Sequence, residues 1–239
     1  MAKIKNIVVL TGAGISAESG INTFRDNGGL WEQHNIEDVA TPQAFAVNPG
    51  LVHRFYNERR RALETAYPNP AHAALAELEA ALGERGGLLT IVTQNVDNLH
   101  ERGGAKNVMH MHGRLHSVKC CLCGRRRDFG GATHEGMKCG DCGGTGSIRP
   151  DIVWFGEIPH HMDEIEAAIL SCDLFVSIGT SGAVYPAAGY VQLARSFGKQ
   201  TLELNLESSG GSHLFHNSRL GKAGKIVPAW VNEIIKTLP

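Results

Sequence analysis

The chain alternates short apolar runs with stripes of apolar residues at helical spacing. Residues 4–10 form a mostly apolar run rich in isoleucine and valine, which is typical of a strand buried on both faces of a parallel sheet. Similar runs predict further strands at residues 88–92, 107–111, 148–155, 174–178 and 201–206.

Helices are predicted between these strands. Asn69 is a good N-cap residue, and Pro70 fits the first helical position. Leu75, Leu78 and Leu82 then share one helical face. The other predicted helices lie at residues 49–64, 162–169, 186–197 and 228–238. Because strands alternate with helices along the chain, we expect an α/β fold with a Rossmann-like, doubly wound parallel sheet.

Length and charge exclude several classes of protein. The 239 residues carry 23 Lys and Arg against 24 Asp and Glu, which gives a formal net charge of −1. Since the charge is nearly balanced, no global basic field attracts nucleic acid or an acidic membrane surface. No apolar run approaches the roughly 20 residues of a membrane span, and the first run is too short for the core of a secretion signal. We therefore expect a cytoplasmic, monomeric protein without nucleic-acid or membrane partners.

Four of the six cysteines form two C-x-x-C pairs, Cys120 with Cys123 and Cys139 with Cys142. In a chain without an export signal this spacing is typical of a four-cysteine zinc ribbon, whose closed tetrahedral site has a structural role. A redox-active pair is the alternative. The basic run at residues 125–127 could bind nucleic acid, but such a run is more often a solvated face.

A glycine-rich turn follows the first predicted strand. Residues 12–17 fit the pattern G-x-G-x-x-G/A, in which glycine permits a tight turn and brings backbone N–H groups close to a pyrophosphate. The alternative is an ordinary glycine-rich loop between a strand and a helix. The acidic residue expected about 20 positions later is missing from a strand end, since Asp26 and Glu32 fall in a predicted loop. Asn205 and Glu207, at the end of a later strand, are better candidates for holding a ribose.

Polar residues cluster at the ends of other predicted strands. Ligands of open α/β sheets bind beyond the carboxyl ends of the strands, where Gln94, Asn95 and Asp97 lie. His110 and His112 end the next strand, and alternation predicts that they share one face. A neutral histidine there can act as a general base near pH 7, although a lone histidine is more often structural.

In this order and over nearly the whole chain, about residues 7–231, these motifs resemble the sirtuins, the family of NAD-dependent protein deacylases. The matching residues are Gly12-Ala13-Gly14-Ile15-Ser16, Gly20-Ile21, Phe24-Arg25, Thr93-Gln94-Asn95-Val96-Asp97-Asn98-Leu99-His100, His112-Gly113, the two cysteine pairs, Pro150, Val153, Phe155-Gly156-Glu157, Gly179-Thr180-Ser181 and Asn205. The resemblance implies a single catalytic domain over residues 1–239. Its expected parts are a Rossmann-like part at residues 1–34, 68–112 and 148–239, a helical insertion at 35–67 and a zinc-ribbon module at 113–147.

The resemblance also implies which residues form the site. The residues expected to be catalytic are His112, Asn95 and Asp97. The residues expected to bind NAD are Gly12, Ala13, Gly14, Ile15, Ser16, Glu18, Gly20, Phe24, Arg25, Trp31, Gln94, Asn95, Val96, Asp97, Gly179, Thr180, Ser181, Asn205, Leu206, Glu207 and Ala223. The residues expected to bind the acyl-lysine substrate are Tyr56, Arg59, Val153, Phe155, Gly156, Glu157 and Val184. One structural zinc is expected on Cys120, Cys123, Cys139 and Cys142.

In the mechanism that the resemblance implies, the carbonyl oxygen of an acyl-lysine attacks the nicotinamide ribose of NAD and nicotinamide leaves. His112 then acts as general base on the ribose hydroxyls, and the products are free lysine and 2′-O-acyl-ADP-ribose. The substrate backbone is expected to add as a strand between residues 153–157 and 182–184. A mono-ADP-ribosyltransferase that uses NAD is the alternative enzyme, and a non-enzymatic zinc-ribbon adaptor is a third hypothesis.

Two residues of one predicted helix indicate which acyl group the substrate carries. Tyr56 and Arg59 lie at i and i+3 of the helix predicted at residues 49–64, so they share a face. This pair resembles that of the class III sirtuins, which remove succinyl and malonyl groups. Arg59 would then bind a distal carboxylate through two hydrogen bonds while Tyr56 donates its hydroxyl. The alternative is that Arg59, Arg60 and Arg61 form an ordinary basic helix surface.

Overall fold

The structure is a computed structural model, and it describes residues 4–21, 30–31 and 34–238. The strands are β1 (Asn6–Thr11), β2 (Leu30–Trp31), β3 (His34–Asn35), β4 (Leu88–Thr93), β5 (Val108–His110), β6 (Gly113–Cys120), β7 (Arg126–Asp128), β8 (Ile148–Ile152), β9 (Leu174–Ile178), β10 (Gln200–Asn205) and β11 (Asn217–Leu220). The helices are α1 (Ile36–Val39), α2 (Pro42–Val47), α3 (Pro49–Thr65), α4 (Pro70–Gly83), α5 (Leu99–Arg102), α6 (Met162–Ser171), α7 (Tyr190–Ser196) and α8 (Ala223–Thr237).

A parallel sheet of six strands, in the order β11-β10-β9-β1-β4-β5, lies at the centre. Alternate residues of β1 face opposite layers, as the period of a strand requires. Ile7 and Val9 pack in one core cluster with α4 and α8, whereas Val8 and Leu10 pack in another with α6 and α7. Helices therefore cover both faces, which confirms the predicted doubly wound α/β fold.

The strand order reverses at β1. The chain moves from β1 to β4 and β5 on one side and then crosses to β9 on the other. In open α/β sheets such a reversal creates a crevice at the carboxyl ends of the strands, and ligands bind there. The turn after β1 and the loop after β9 border this crevice.

A second, antiparallel sheet has the order β7-β6-β8 and carries the paired cysteines. β8 belongs to this sheet, whereas the sequence placed a strand at residues 148–155 in the Rossmann-like part. The run is buried because Ile148 packs in the core of the small module and Ile152 packs against the helical insertion. Periodicity alone cannot distinguish such a run from a central parallel strand.

Two further elements differ from the prediction. α8 begins at Ala223, and Pro228, its predicted first residue, lies inside it. The helix extends through the proline because Val227, Trp230 and Val231 pack into the core of the parallel sheet. β11 was not predicted, since all four of its residues are exposed at the edge of the sheet. None of the helices in the described ranges has the length and apolar character of a membrane span.

Candidate active site

The turn that follows β1 packs directly against the loop after β9. Gly12 and Gly14 donate their N–H groups to the carbonyl oxygens of Ile178 and Gly179, at 3.0 and 2.9 Å. A Cβ on Gly12 would lie 2.8 Å from an atom of Gly179, and a Cβ on Gly14 would lie 2.7 Å from one. Both glycines are therefore required by the contact between the two loops.

Hydrogen bonds within the protein leave fewer backbone N–H groups free to bind a ligand than the glycine pattern predicts. Ile15 and Ser16 donate their N–H groups to the carbonyl oxygens of Gly12 and Ala13, at 3.2 and 3.1 Å. Of residues 12–16, Ala13 alone has an N–H group for which the described residues supply no acceptor. Within this turn, the backbone N–H group that remains available to a pyrophosphate is therefore that of Ala13, at the start of a short 3₁₀ turn.

Residues at the ends of β9 and β10 meet across the same crevice. Asn205 donates from Nδ2 to the carbonyl oxygen of Thr180 at 2.8 Å, and its Oδ1 accepts from the N–H of Leu206 at 3.0 Å. The Thr180 hydroxyl lies 3.0 Å from that of Ser177. Asn205 therefore holds the loop after β9 against the end of β10, and Glu207 follows directly after it.

A buried polar group joins the turn after β1 to the end of β4. The Ser16 hydroxyl donates to Oδ2 of Asp97 at 3.1 Å and accepts from Nδ2 of Asn95 at 3.1 Å. Asp97 also accepts from the N–H of Leu99 at 3.0 Å. Burial raises the pKa of Asp97, against the lowering effect of these hydrogen bonds. Ser16 of the glycine-rich turn thus joins Asn95 and Asp97, which the sequence placed together, in one cluster.

His112 lies in the turn after β5, and one hydrogen bond fixes its ring. Nδ1 is 3.0 Å from the carbonyl oxygen of Gln94. Because a carbonyl only accepts, Nδ1 carries the proton and the lone pair is on Nε2. Burial lowers the pKa of His112, the bond to Gln94 opposes this, and the charge of His160 lowers it further. The ring is therefore a neutral base near pH 7, beside the end of β4.

His110 differs from His112 in its surroundings. The two rings do not share a face of one strand, as alternation predicted, because β5 ends at His110. Nε2 of His110 is 2.6 Å from Oε1 of Glu101, and Nδ1 is 3.3 Å from the carbonyl oxygen of Asn95. Since both ring nitrogens are engaged, His110 has a structural role.

Other residues expected to bind NAD support the crevice from its edge. Oε2 of Glu18 accepts from the N–H of Gly224 at 2.7 Å, one residue after Ala223 begins α8. This carboxylate therefore satisfies a free donor at a helix N-terminus. Gly20 ends the second 3₁₀ turn with a φ of 83°, a conformation that favours glycine. The predicted residues whose side chains lie outside the described part of the chain are Phe24, Arg25 and Trp31.

Tyr56 and Arg59 both lie on α3, as predicted, and both are largely removed from water. Tyr56 is fully buried, and its hydroxyl oxygen accepts from the indole N–H of Trp154 at 2.9 Å. Burial raises the pKa of Tyr56, so the hydroxyl stays protonated at neutral pH. The Arg59 side chain is only 12% exposed, with its guanidinium 3.6 Å above the ring of Phe55. Arg59 is therefore not part of an ordinary solvated helix surface.

The sequence did not single out Trp154, which holds Tyr56 in place. The Arg149 guanidinium lies 3.5 Å above the ring of Trp154 and donates to both oxygens of Glu157 at 2.9 and 2.7 Å. Oε2 of Glu157 also accepts from the N–H of Trp154 at 2.9 Å. Glu157, which was expected to bind substrate, thus has its carboxylate committed to supporting this tryptophan. The only signal in the sequence was the position of Trp154 within a matched motif.

In the segment expected to pair with substrate, residues 153–157, two backbone N–H groups are hydrogen-bonded within the protein. Val153 donates its N–H to the carbonyl oxygen of His112 at 2.9 Å, and Phe155 donates to that of Ala40 at 3.0 Å. A substrate strand would therefore find carbonyl groups here rather than these two donors. The side chains of Phe155 and Val184 are exposed, at 50% and 40%.

The four paired cysteines converge on one point. Their Sγ atoms all lie within 4.8 Å of one another. The Sγ atoms of Cys120 and Cys142 are 3.7 Å apart, and those of Cys123 and Cys139 are 3.8 Å apart. Four thiolates at about 2.3 Å from a tetrahedral Zn²⁺ would be roughly 3.8 Å apart. The cluster therefore fits one zinc ion, with no ligand position left open for catalysis.

The pKa shifts of these thiols also favour a bound cation. Hydrogen bonds from Ser147 and from the backbone N–H of Cys123 lower the pKa of the Cys120 thiol. Although a hydrogen bond from the backbone of Arg125 opposes it, burial together with the neighbouring thiols raises the pKa of Cys123. The first thiolate forms readily and the next is resisted by like charge, which a divalent cation would remove.

Known proteins are similar in sequence to this chain over nearly its full length. The model of the Sir2 family matches residues 12–186. An NAD-dependent protein deacylase of Leishmania major is 55% identical over 242 residues, which cover 99% of this chain and 98% of that protein. An NAD-dependent protein deacylase of Caulobacter vibrioides is 51% identical over 238 residues, which cover 100% of both.

Solved structures share the fold. A Sir2 homologue in complex with NAD superposes with a TM-score of 0.88 at 39% identity, over 99% of this chain and 91% of that one. Sir2Af2 bound to a myristoylated histone peptide superposes with a TM-score of 0.73 at 31% identity, over 98% of this chain and 93% of that one.

Proposed function

Because the chain belongs to the Sir2 family, we propose that it removes acyl groups from the lysine side chains of proteins and consumes NAD in doing so. The observation that carries this function is the placement of a neutral base next to a buried polar cluster. His112 is held by the carbonyl of Gln94, and the adjacent residue, Asn95, is joined through Ser16 to Asp97. These groups follow the carboxyl ends of β1, β4 and β5, where the crevice opens.

Hydrogen bonds within the protein hold the residues of this site in place. NAD, when bound, supplies the ADP-ribosyl group that accepts the acyl group, with nicotinamide as the leaving group. The N–H of Ala13 and the loop after β9 are the groups of this chain that would hold it. Hydrogen bonds already fix Asn95 and Asp97, so they need not reorganise during the reaction. Nε2 of His112 can take a proton from a hydroxyl group in the crevice.

The pH dependence of kcat/KM should report on His112. The base works only when it is neutral, and burial lowers its pKa below the ordinary value of 6.5. Activity should therefore persist below the pH at which an ordinary histidine fails, and it should fall as the pH drops through the lowered pKa. Initial rates measured from about pH 5 to 8 would show the midpoint of this acidic limb. A midpoint at or above 6.5, or one that moves in His110→Ala, would contradict the assignment.

We also propose that Tyr56 and Arg59 recognise a carboxylate at the far end of the acyl group, so that the enzyme removes succinyl and malonyl groups as well as acetyl groups. The shielding of Arg59 from water supports this, because a charge-assisted hydrogen bond is stronger in a site of low dielectric. The position of Tyr56 supports it too, since its hydroxyl lies one helical turn from Arg59 and is held by the indole N–H of Trp154.

Arg59→Met should lose succinyl-lysine and malonyl-lysine activity and keep most acetyl-lysine activity. Each hydrogen bond to a charged group contributes about 1.5–3 kcal/mol, so two lost contacts predict a drop in kcat/KM of at least roughly 100-fold. Peptides carrying each acyl group would be incubated with and without NAD, and the products would be read by mass. The matched control is Arg61→Met, an exposed arginine two positions further along α3.

Two outcomes would correct these proposals separately. Equal loss of acetyl and succinyl activity in Arg59→Met would make Arg59 structural and leave a general deacetylase. A peptide that gains the mass of ADP-ribose, instead of losing its acyl group, would identify the chain as a mono-ADP-ribosyltransferase. Tyr56→Phe is less suitable as the first variant, because it leaves the buried N–H of Trp154 without its acceptor at a cost of about 1–3 kcal/mol.

A further inference from the structure

A cavity of about 170 Å³ lies between α3 and a loop of the small module. It is lined by Arg54, Asn57, Arg60, Arg61 and Glu64 of α3 and by residues 130–132. None of these residues is among those expected to bind NAD, the acyl-lysine substrate or zinc. A water molecule occupies about 30 Å³ in the liquid, so the cavity has room for several waters or for one small ion.

The floor of this cavity contains a buried cation without a counterion. Arg60 is 3% exposed, and arginine is rarely buried so completely unless it is paired. Its Nε donates to the carbonyl oxygen of Leu115, and NH1 donates to Oδ1 of Asn57 at 2.7 Å. Both acceptors are neutral, and NH2 has no hydrogen-bond partner among the described residues. Burial lowers the pKa of Arg60 to about 10, so the side chain is still charged at neutral pH.

The rim of the cavity adds to this positive charge. Arg54 and Arg61 are exposed, and neither forms an ion pair with a residue of the described ranges. Glu64 is the only acidic residue of the lining. Three guanidinium groups and one carboxylate give the lining an excess of positive charge, although the carboxylate of Glu135 lies close to Arg54 outside it. This excess suits an anion.

We propose that this cavity binds a tetrahedral oxyanion of the phosphate class, either as the free ion or as the phosphate group of a small metabolite. The free NH2 of Arg60 would donate to one oxygen, and Arg54 and Arg61 would close over the others. Arginine suits this ligand because its planar, always charged fork matches phosphate oxygens. The site is independent of the proposed deacylase activity and contains no residue that the activity uses.

The test is calorimetric titration of the full-length protein with inorganic phosphate at constant ionic strength. We expect saturable binding to the unmodified chain and at least about tenfold weaker binding to the double variant Arg54→Gln/Arg61→Gln, which removes charge only from the exposed rim. The matched control is Lys106→Gln/Lys236→Gln, which removes two exposed charges elsewhere and should bind as the unmodified chain does. Arg60→Gln is a secondary variant, because loss of its buried hydrogen bonds can unfold the protein.

Phosphate could instead occupy the turn after β1, so the titration is repeated with saturating ADP-ribose. Binding that persists with ADP-ribose supports the cavity, and binding that ADP-ribose abolishes overturns the proposal. The proposal also fails if the unmodified chain shows no saturable binding, or if the rim and control variants bind equally. A parallel titration with glycerol 3-phosphate distinguishes the sources: binding of both ligands identifies a metabolite site, and binding of inorganic phosphate alone identifies a site for the free ion.

Discussion

His112→Ala should abolish deacylation while the fold and the affinity for NAD remain. The substitution removes the lone pair on Nε2, and the loss of a general base typically costs about 10²–10⁴-fold in rate. Among the residues that the structure describes, the ring makes a single hydrogen bond, to the carbonyl oxygen of Gln94, so little of that structure depends on it. The rate of acyl loss from a peptide would be read by mass, with NAD affinity from calorimetry and folding from circular dichroism.

His110→Ala is the matched control for this variant. Its ring bridges Glu101 and the carbonyl oxygen of Asn95, so its loss should lower the melting temperature but leave turnover in the folded enzyme. The opposite pattern, in which the His112 variant keeps nearly full turnover and the His110 variant does not, would remove His112 from the mechanism.

Cys139→Ala should yield protein that holds no zinc and is insoluble or inactive. The core of the small module consists of Val118, Cys120, Cys139 and Ile148, which is too little apolar surface to fold without the metal. Zinc binding in modules of this kind contributes on the order of 10 kcal/mol to folding. The loss of the metal would also destabilise the helical insertion that carries Tyr56, because Ile152 of β8 packs against it. Elemental analysis, solubility and thermal melting would measure the effect.

Cys121→Ala provides the control for the zinc site. Cys121 is exposed and lies outside the group of four converging thiols, although it adjoins Cys120. This variant should keep one zinc per chain and its melting temperature. If Cys139→Ala were as soluble, stable and active as the unmodified protein, the four cysteines would have no structural metal.

Features that depend on local spacing were predictable from the sequence. Asn69 does cap α4, with Pro70 at its first position, because capping requires only residues within one turn. The central strands of the parallel sheet, β1, β4 and β9, carry mostly apolar runs, since helices cover both faces of the sheet there. The two C-x-x-C pairs identified the zinc ligands because each pair is a local knuckle, and the chemistry of thiolates selects the metal.

Only the tertiary structure decided how distant segments meet. Tyr56 and Trp154 are 98 residues apart, yet a buried hydrogen bond joins their side chains. The glycines of the turn after β1 are explained by contact with Gly179, and the tautomer of His112 is set by the carbonyl of Gln94, in the loop after β4. Such contacts leave no periodic signal, because each depends on the packing of elements brought together by the whole fold. The apolar pattern therefore determined which elements form, and long-range packing determined which side chains share a site.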